Sequence, residues 1–85
     1  VRQWQQLFYD RVYSATPMTA PDFVKLAEAY GAVGLRATKP EEVEPVIREA
    51  LNTRRPVIMD FKVEPEECVM PMVPAGKAMH EMLLA

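Results

Sequence analysis

Cysteine, glycine and histidine are scarce in this 85-residue chain: one cysteine, three glycines and one histidine. A lone thiol, Cys68, cannot form an internal disulfide, which excludes a disulfide-stapled scaffold and favours a reducing cytoplasm. Gly31, Gly34 and Gly76 stand in no phosphate-cradling array. His80 has no Cys or Asp at ligand spacing, so a packed or solvated histidine is the plainer reading. No apolar run approaches membrane-spanning length, and no signal-peptide pattern opens the chain. Neither sign of charge dominates: the net charge is −2 and the basic residues are scattered, so no nucleic-acid stripe forms.

What is present suits one small α/β module. Half the residues are hydrophobic and a quarter are charged, which is ordinary globular usage and argues against disorder. Eight prolines supply most of the punctuation. The chain opens with a helical stripe already under way, Val1, Trp4 and Phe8 with Leu7 beside them, and no capping residue stands before it. That uncapped start reads as the C-terminal piece of a larger enzyme.

A second helix is expected over Pro21 to Tyr30. Pro21 and Asp22 lie in its first turn, Phe23, Leu26, Ala27 and Tyr30 form one apolar face, and Gly31 is a left-handed stop. Residues 10–20, between the two helices, read as a loop. A short strand is expected near Gly34 to Thr38. Thr38 to Glu41 then fits a capping box, with Thr38 as cap and Glu41 reaching back. Val43, Val46, Ile47, Ala50 and Leu51 follow as the clearest helical stripe. Pro45 either kinks that helix or marks 40–44 as a separate turn.

Pro56 to Val63 is the firmest strand, with Val57, Met59, Phe61 and Val63 on one side and Ile58, Asp60 and Lys62 on the other. Strand, helix, strand makes a βαβ unit, which predicts a parallel pair within three layers. The apolar but proline-broken segment 68–76 predicts irregular structure. A short closing helix is expected over Lys77 to Leu84, with Ala78, Met79, Met82 and Leu83 on one side.

In one order the chain carries Val1-Arg2-Gln3-Trp4-Gln5, Phe8-Tyr9, Tyr13-Ser14, Pro21-Asp22-Phe23, Ala29-Tyr30-Gly31-Ala32, Thr38-Lys39-Pro40-Glu41-Glu42 and Met72-Val73-Pro74. Together these resemble the C-terminal end of the catalytic subunit of the acetohydroxyacid (acetolactate) synthase family. The resemblance covers all 85 residues. It implies that residues 1–85 are the C-terminal part of a thiamine-diphosphate-binding domain. It also implies a parent that uses thiamine diphosphate, Mg²⁺ and FAD. Such a parent condenses pyruvate with pyruvate or 2-oxobutyrate after decarboxylation, in branched-chain amino-acid synthesis. A homodimer, a regulatory small subunit and a cytoplasmic location belong to the same expectation.

The family's metal-anchoring Gly-Asp-Gly motif is absent here, as is its cofactor-activating glutamate, so no catalytic, cofactor-binding or metal-binding residue is assigned and the chain alone is expected to be inactive. By resemblance, the site residues are those of a substrate and herbicide channel: Trp4, Ala75, Val1, Met72 and Pro74. Trp4 would favour 2-oxobutyrate and bind sulfonylurea and imidazolinone herbicides. Without the resemblance, Trp4 reads as a core residue and 72–76 as a covering loop. Two further alternatives are another thiamine-diphosphate oxidase or decarboxylase and a small dimerising module built on the Trp4 stripe. Asp60 is the one carboxylate whose burial could matter, and the sequence does not orient it.

Overall fold

The computed structural model describes residues 1–85, which form two compact units: residues 18–64, and residues 1–17 together with 65–85. No helix is long and apolar enough to cross a membrane.

The 18–64 unit holds helix α2 (Phe23–Ala29), strand β1 (Val33–Ala37), helix α3 (Val43–Asn52) and strand β2 (Val57–Phe61). β1 and β2 pair in parallel, in register from Val33 with Val57 to Ala37 with Phe61, as the βαβ pattern predicts. Val33 N–H donates to Pro56 at 2.9 Å, and Lys62 N–H to Ala37 at 2.9 Å, which extends the ladder past both ends of β2.

α2 begins two residues later than Pro21. The Asp22 carboxylate accepts from the amides of Val24 (3.1 Å) and Lys25 (3.3 Å), so Asp22 is the N-cap and not a first-turn residue. Gly31, at φ +75°, ends the helix as expected, and Ala32 N–H reaches back to Ala27 at 2.9 Å. Ala27 is fully buried, whereas Tyr30, just past the last turn, is exposed.

Gly34 marks the closest packing. A Cβ there would lie 2.7 Å from both the Cα and the carbonyl oxygen of Val24 in α2. α2 therefore lies on the sheet face that carries Gly34 and Arg36, and with them Ile58 and Asp60. The opposite face carries Ala37 and Phe61, which share a pocket lining with Val43 and Ile47 of α3. The result is the expected three layers, with Ala27, Ala37 and Val46 as the buried core.

The capping box moves by one residue. Pro40–Glu42 forms a 3₁₀ turn whose cap is Lys39 and not Thr38, so the residue three further on that turns back is Glu42, not Glu41. The Glu42 carboxylate accepts from the amides of Thr38 (2.8 Å) and Lys39 (3.3 Å). α3 follows at Val43, so 40–42 is a separate turn and Pro45 falls in the first turn of α3, where a missing N–H costs least. Leu51, the last member of the stripe, is 81% exposed.

In the 1–17/65–85 unit, helix α1 (Arg2–Phe8) has no side-chain cap and no buried residue. Gln5 organises the following loop: it donates to the Ser14 carbonyl (2.9 Å) and accepts from Thr16 Oγ1 (2.8 Å). The closing helix expected over Lys77 to Leu84 is not formed; only a 3₁₀ turn at Met79–Glu81 appears. Leu83 spends its backbone elsewhere, donating to the Met72 carbonyl at 2.8 Å and accepting from Met72 N–H at 3.0 Å in an antiparallel bridge. Those bonds draw 82–84 out of helical geometry. The Glu81 carboxylate caps the single turn by accepting from Ala78 N–H at 2.9 Å.

Candidate functional site

Trp4 and Phe8 lie on α1 and Tyr9 just beyond its end, and Met72, Pro74 and Ala75 come from the C-terminal segment. These six line one apolar pocket of about 240 Å³. Trp4 and Phe8, four apart, share a face of α1 and leave the indole half-exposed at the pocket (54%). Four of the five expected site residues are thus brought together. Val1 is not among the lining residues and is 88% exposed. Sequence reasoning did not place Phe8 and Tyr9 in the site, although the Trp4–Phe8 spacing carried the signal.

Polar side chains of α1 tie down the C-terminal wall. The Gln3 carboxamide donates to the Val69 carbonyl at 2.9 Å and accepts from Val69 N–H at 2.8 Å. Its nitrogen also lies 3.0 Å from the Met72 sulfur. Arg2 donates to the Glu67 carbonyl (3.0 Å) and to the Glu66 carboxylate (3.2 Å), and Tyr13 donates to the same Glu66 oxygen at 3.0 Å. None of this was legible beforehand, because a glutamine beside a tryptophan has no distinctive spacing.

Asp22 and Asp60 of the 18–64 unit are held in ion pairs. Asp60, only 9% exposed at its side chain, is paired with Lys62 (2.9 Å) and Arg36 (3.0 Å). Those two cations, Lys62 foremost, hold its carboxyl below the usual range, so it stays ionised near neutrality and cannot act as a general acid there. The Lys25 amide and then Arg36 do the same for Asp22. His80 lies exposed on the last 3₁₀ turn.

A diphosphate-bound Mg²⁺ needs several oxygen ligands converging on one point. No group of three or more His, Cys, Asp or Glu side chains is so arranged. Gly31 and Gly76, the two glycines with positive φ, each stand outside any glycine-rich run. The residues present therefore do not fit the metal and diphosphate end of a thiamine cofactor. What they offer is an apolar wall with one broad aromatic face.

Residues 1–61 match the family described as thiamine pyrophosphate enzyme, C-terminal TPP binding domain. The chain belongs to that family. Within it, the chain is 46% identical over 84 residues to the mitochondrial acetolactate synthase of Schizosaccharomyces pombe, covering 99% of this chain and 13% of the relative. It is 43% identical over 83 residues to the mitochondrial acetolactate synthase catalytic subunit of Saccharomyces cerevisiae, covering 98% of this chain and 12% of that protein. To the acetolactate synthase large subunit of Haemophilus influenzae it is 42% identical over 87 residues, covering 100% and 15%. The chain thus spans only about an eighth to a seventh of the length of these relatives. The family match itself holds Trp4, while Met72, Pro74 and Ala75 lie beyond residue 61.

Proposed function

We propose that this chain is the C-terminal segment of an acetolactate synthase catalytic subunit, and that its apolar pocket is part of the wall that receives the second 2-oxoacid. The parent condenses pyruvate with pyruvate or 2-oxobutyrate, releasing carbon dioxide. The observation that carries the reading is the convergence of Trp4 with Met72, Pro74 and Ala75, some 70 positions apart, on one cavity. The names of the relatives support the same parent, and a family oxidase or decarboxylase is not favoured by any of them. Thiamine diphosphate, Mg²⁺ and FAD are assigned to parts of the parent outside these residues.

The chain's own contribution is shape. The indole of Trp4 offers a flat apolar surface to the methyl end of the incoming 2-oxoacid, and the Met72 to Ala75 wall excludes water beside it. No proton or metal is handled by these side chains. The same flat surface suits stacking by sulfonylurea or imidazolinone herbicides. A large-subunit name among the relatives supports a small partner subunit, and a homodimeric parent is part of the proposal. The compartment is proposed as cytoplasmic for a bacterial parent and mitochondrial for a fungal one, after the two fungal names.

The test is Trp4→Leu in the full-length parent, with pyruvate and 2-oxobutyrate in competition and both products measured. One methylene against an apolar wall is worth about 1–3 kcal/mol, so the preference for 2-oxobutyrate should fall roughly ten-fold or more. Acetolactate formation should persist. An unchanged product ratio would leave Trp4 as a packing residue.

A further inference from the structure

The pocket has one wall with regular structure and one without. Trp4 and Phe8 belong to α1, whereas Met72, Pro74 and Ala75 lie in a segment with no helix or strand of its own. An irregular wall needs external bonds to keep a fixed distance from the indole. On one side it has the backbone bridge between Met72 and Leu83. On the side of α1 it has Gln3, which reaches Val69 and Met72, while Arg2 holds Glu66 and Glu67 ahead of them.

A single carboxamide here takes the place of a neighbouring strand. Its nitrogen donates to Val69 C=O and its oxygen accepts from Val69 N–H, at 2.9 and 2.8 Å. Both backbone groups of one residue are thereby satisfied by one planar side chain, which fixes rotation as well as distance. The Met72 sulfur, 3.0 Å from the same nitrogen, brings a pocket-lining residue under the same control. Gln3 immediately precedes Trp4, so any shift of this clamp moves the irregular wall against the indole directly.

We propose that Gln3 is the positioning residue of this pocket: by holding Val69 and Met72 to α1, it sets the width between Trp4 and the Met72–Ala75 wall. It thereby sets how strongly the longer 2-oxoacid is preferred. The proposal rests on the reading of the pocket as the second-substrate wall.

The experiment uses the full-length parent and three variants, Gln3→Met, Gln3→Glu and Trp4→Leu, each assayed with pyruvate and 2-oxobutyrate in competition. Gln3→Met keeps length and helix propensity but removes both hydrogen bonds. Gln3→Glu keeps the acceptor for Val69 N–H and sets a carboxylate against the Val69 carbonyl. The product ratio does not register a mere loss of folded enzyme, because both products come from the same sites. Each Gln3 variant should lower the preference for 2-oxobutyrate by about three- to ten-fold, the weight of about one net hydrogen bond. Tryptic cleavage after Lys77 should speed up by a similar factor as the segment loosens. If Trp4→Leu shifts the ratio and neither Gln3 variant does, the clamp is overturned and the pocket reading stands. If Trp4→Leu also leaves the ratio unmoved, the pocket reading falls and the clamp's role in selectivity falls with it.

Discussion

The 18–64 unit and the 1–17/65–85 unit are built by different means. In the first, backbone groups pair with one another in a parallel ladder and two helices, and side chains fill the layers between. In the second, side chains of a seven-residue helix, Arg2, Gln3 and Gln5, bond directly to the backbone of segments that have no regular structure. The first gains rigidity from repetition and the second from individual contacts. The pocket lies in the second, where a single substitution can reshape a wall without unfolding a layer.

The largest effect that would sharpen this contrast is Gly34→Ala. The added methyl would lie 2.7 Å from the backbone of Val24, which cannot step aside without moving α2. Overpacking of this kind costs about 1–3 kcal/mol, so the urea midpoint followed by circular dichroism should drop clearly. Pairing it with Val24→Ala should not restore stability, because the clashing Cα and carbonyl remain. Recovery in the double variant would place the limit in the side chain instead.

Acid should separate the units next. Asp22, Glu42 and Asp60 in the 18–64 unit are held below the usual carboxylate range, by the Lys25 amide, the Thr38 amide and Lys62 respectively. In the other unit Glu81 is so held, by the Ala78 amide. Lowered folded-state values mean that the unfolded chain binds more protons near pH 4. These groups therefore stabilise the fold fully above about pH 5, and their contribution is lost as pH falls through the folded values. Amide exchange followed from pH 6 to pH 3 should show the larger loss of protection in 18–64. Arg36→Met, which removes a partner from Asp22 and Asp60, should flatten that dependence. Equal acid sensitivity in both units would contradict the assignment.

The smallest effect is expected at Glu44 and Arg48, a pair one turn apart on α3, both 73% exposed. Glu44→Gln should cost at most about 0.5 kcal/mol, within the scatter of a melting curve. A larger loss would mean that this face of α3 is covered in solution.

Legibility in the sequence follows the same division. Periodicity places α2, α3 and β2, because backbone-bonded elements leave a period in the residues they bury, and the strand–helix–strand order adds β1 and the parallel pairing. Errors there are of one or two residues, where the Asp22 and Glu42 carboxylates choose which amides to cap. In the other unit, Ala78, Met79, Met82 and Leu83 have helical spacing, yet the Met72–Leu83 bridge overrides it. Trp4 was visible through its rarity and the family resemblance. Gln3 was invisible, since what it does depends on a segment 66 positions away coming within reach.

The Asp22 cap has a consequence for how the 18–64 unit opens. One oxygen atom, Oδ1, receives the amides of Val24 and Lys25 and the guanidinium of Arg36, the last at 2.6 Å. The first turn of a helix is ordinarily where fraying begins. Here loosening that turn also releases a side chain rooted in β1, which in turn grips β2 through Asp60. The helix start and the sheet are thereby joined in one cooperative step, and the end of α2 that would normally breathe most freely is tied to the opening of the whole layer.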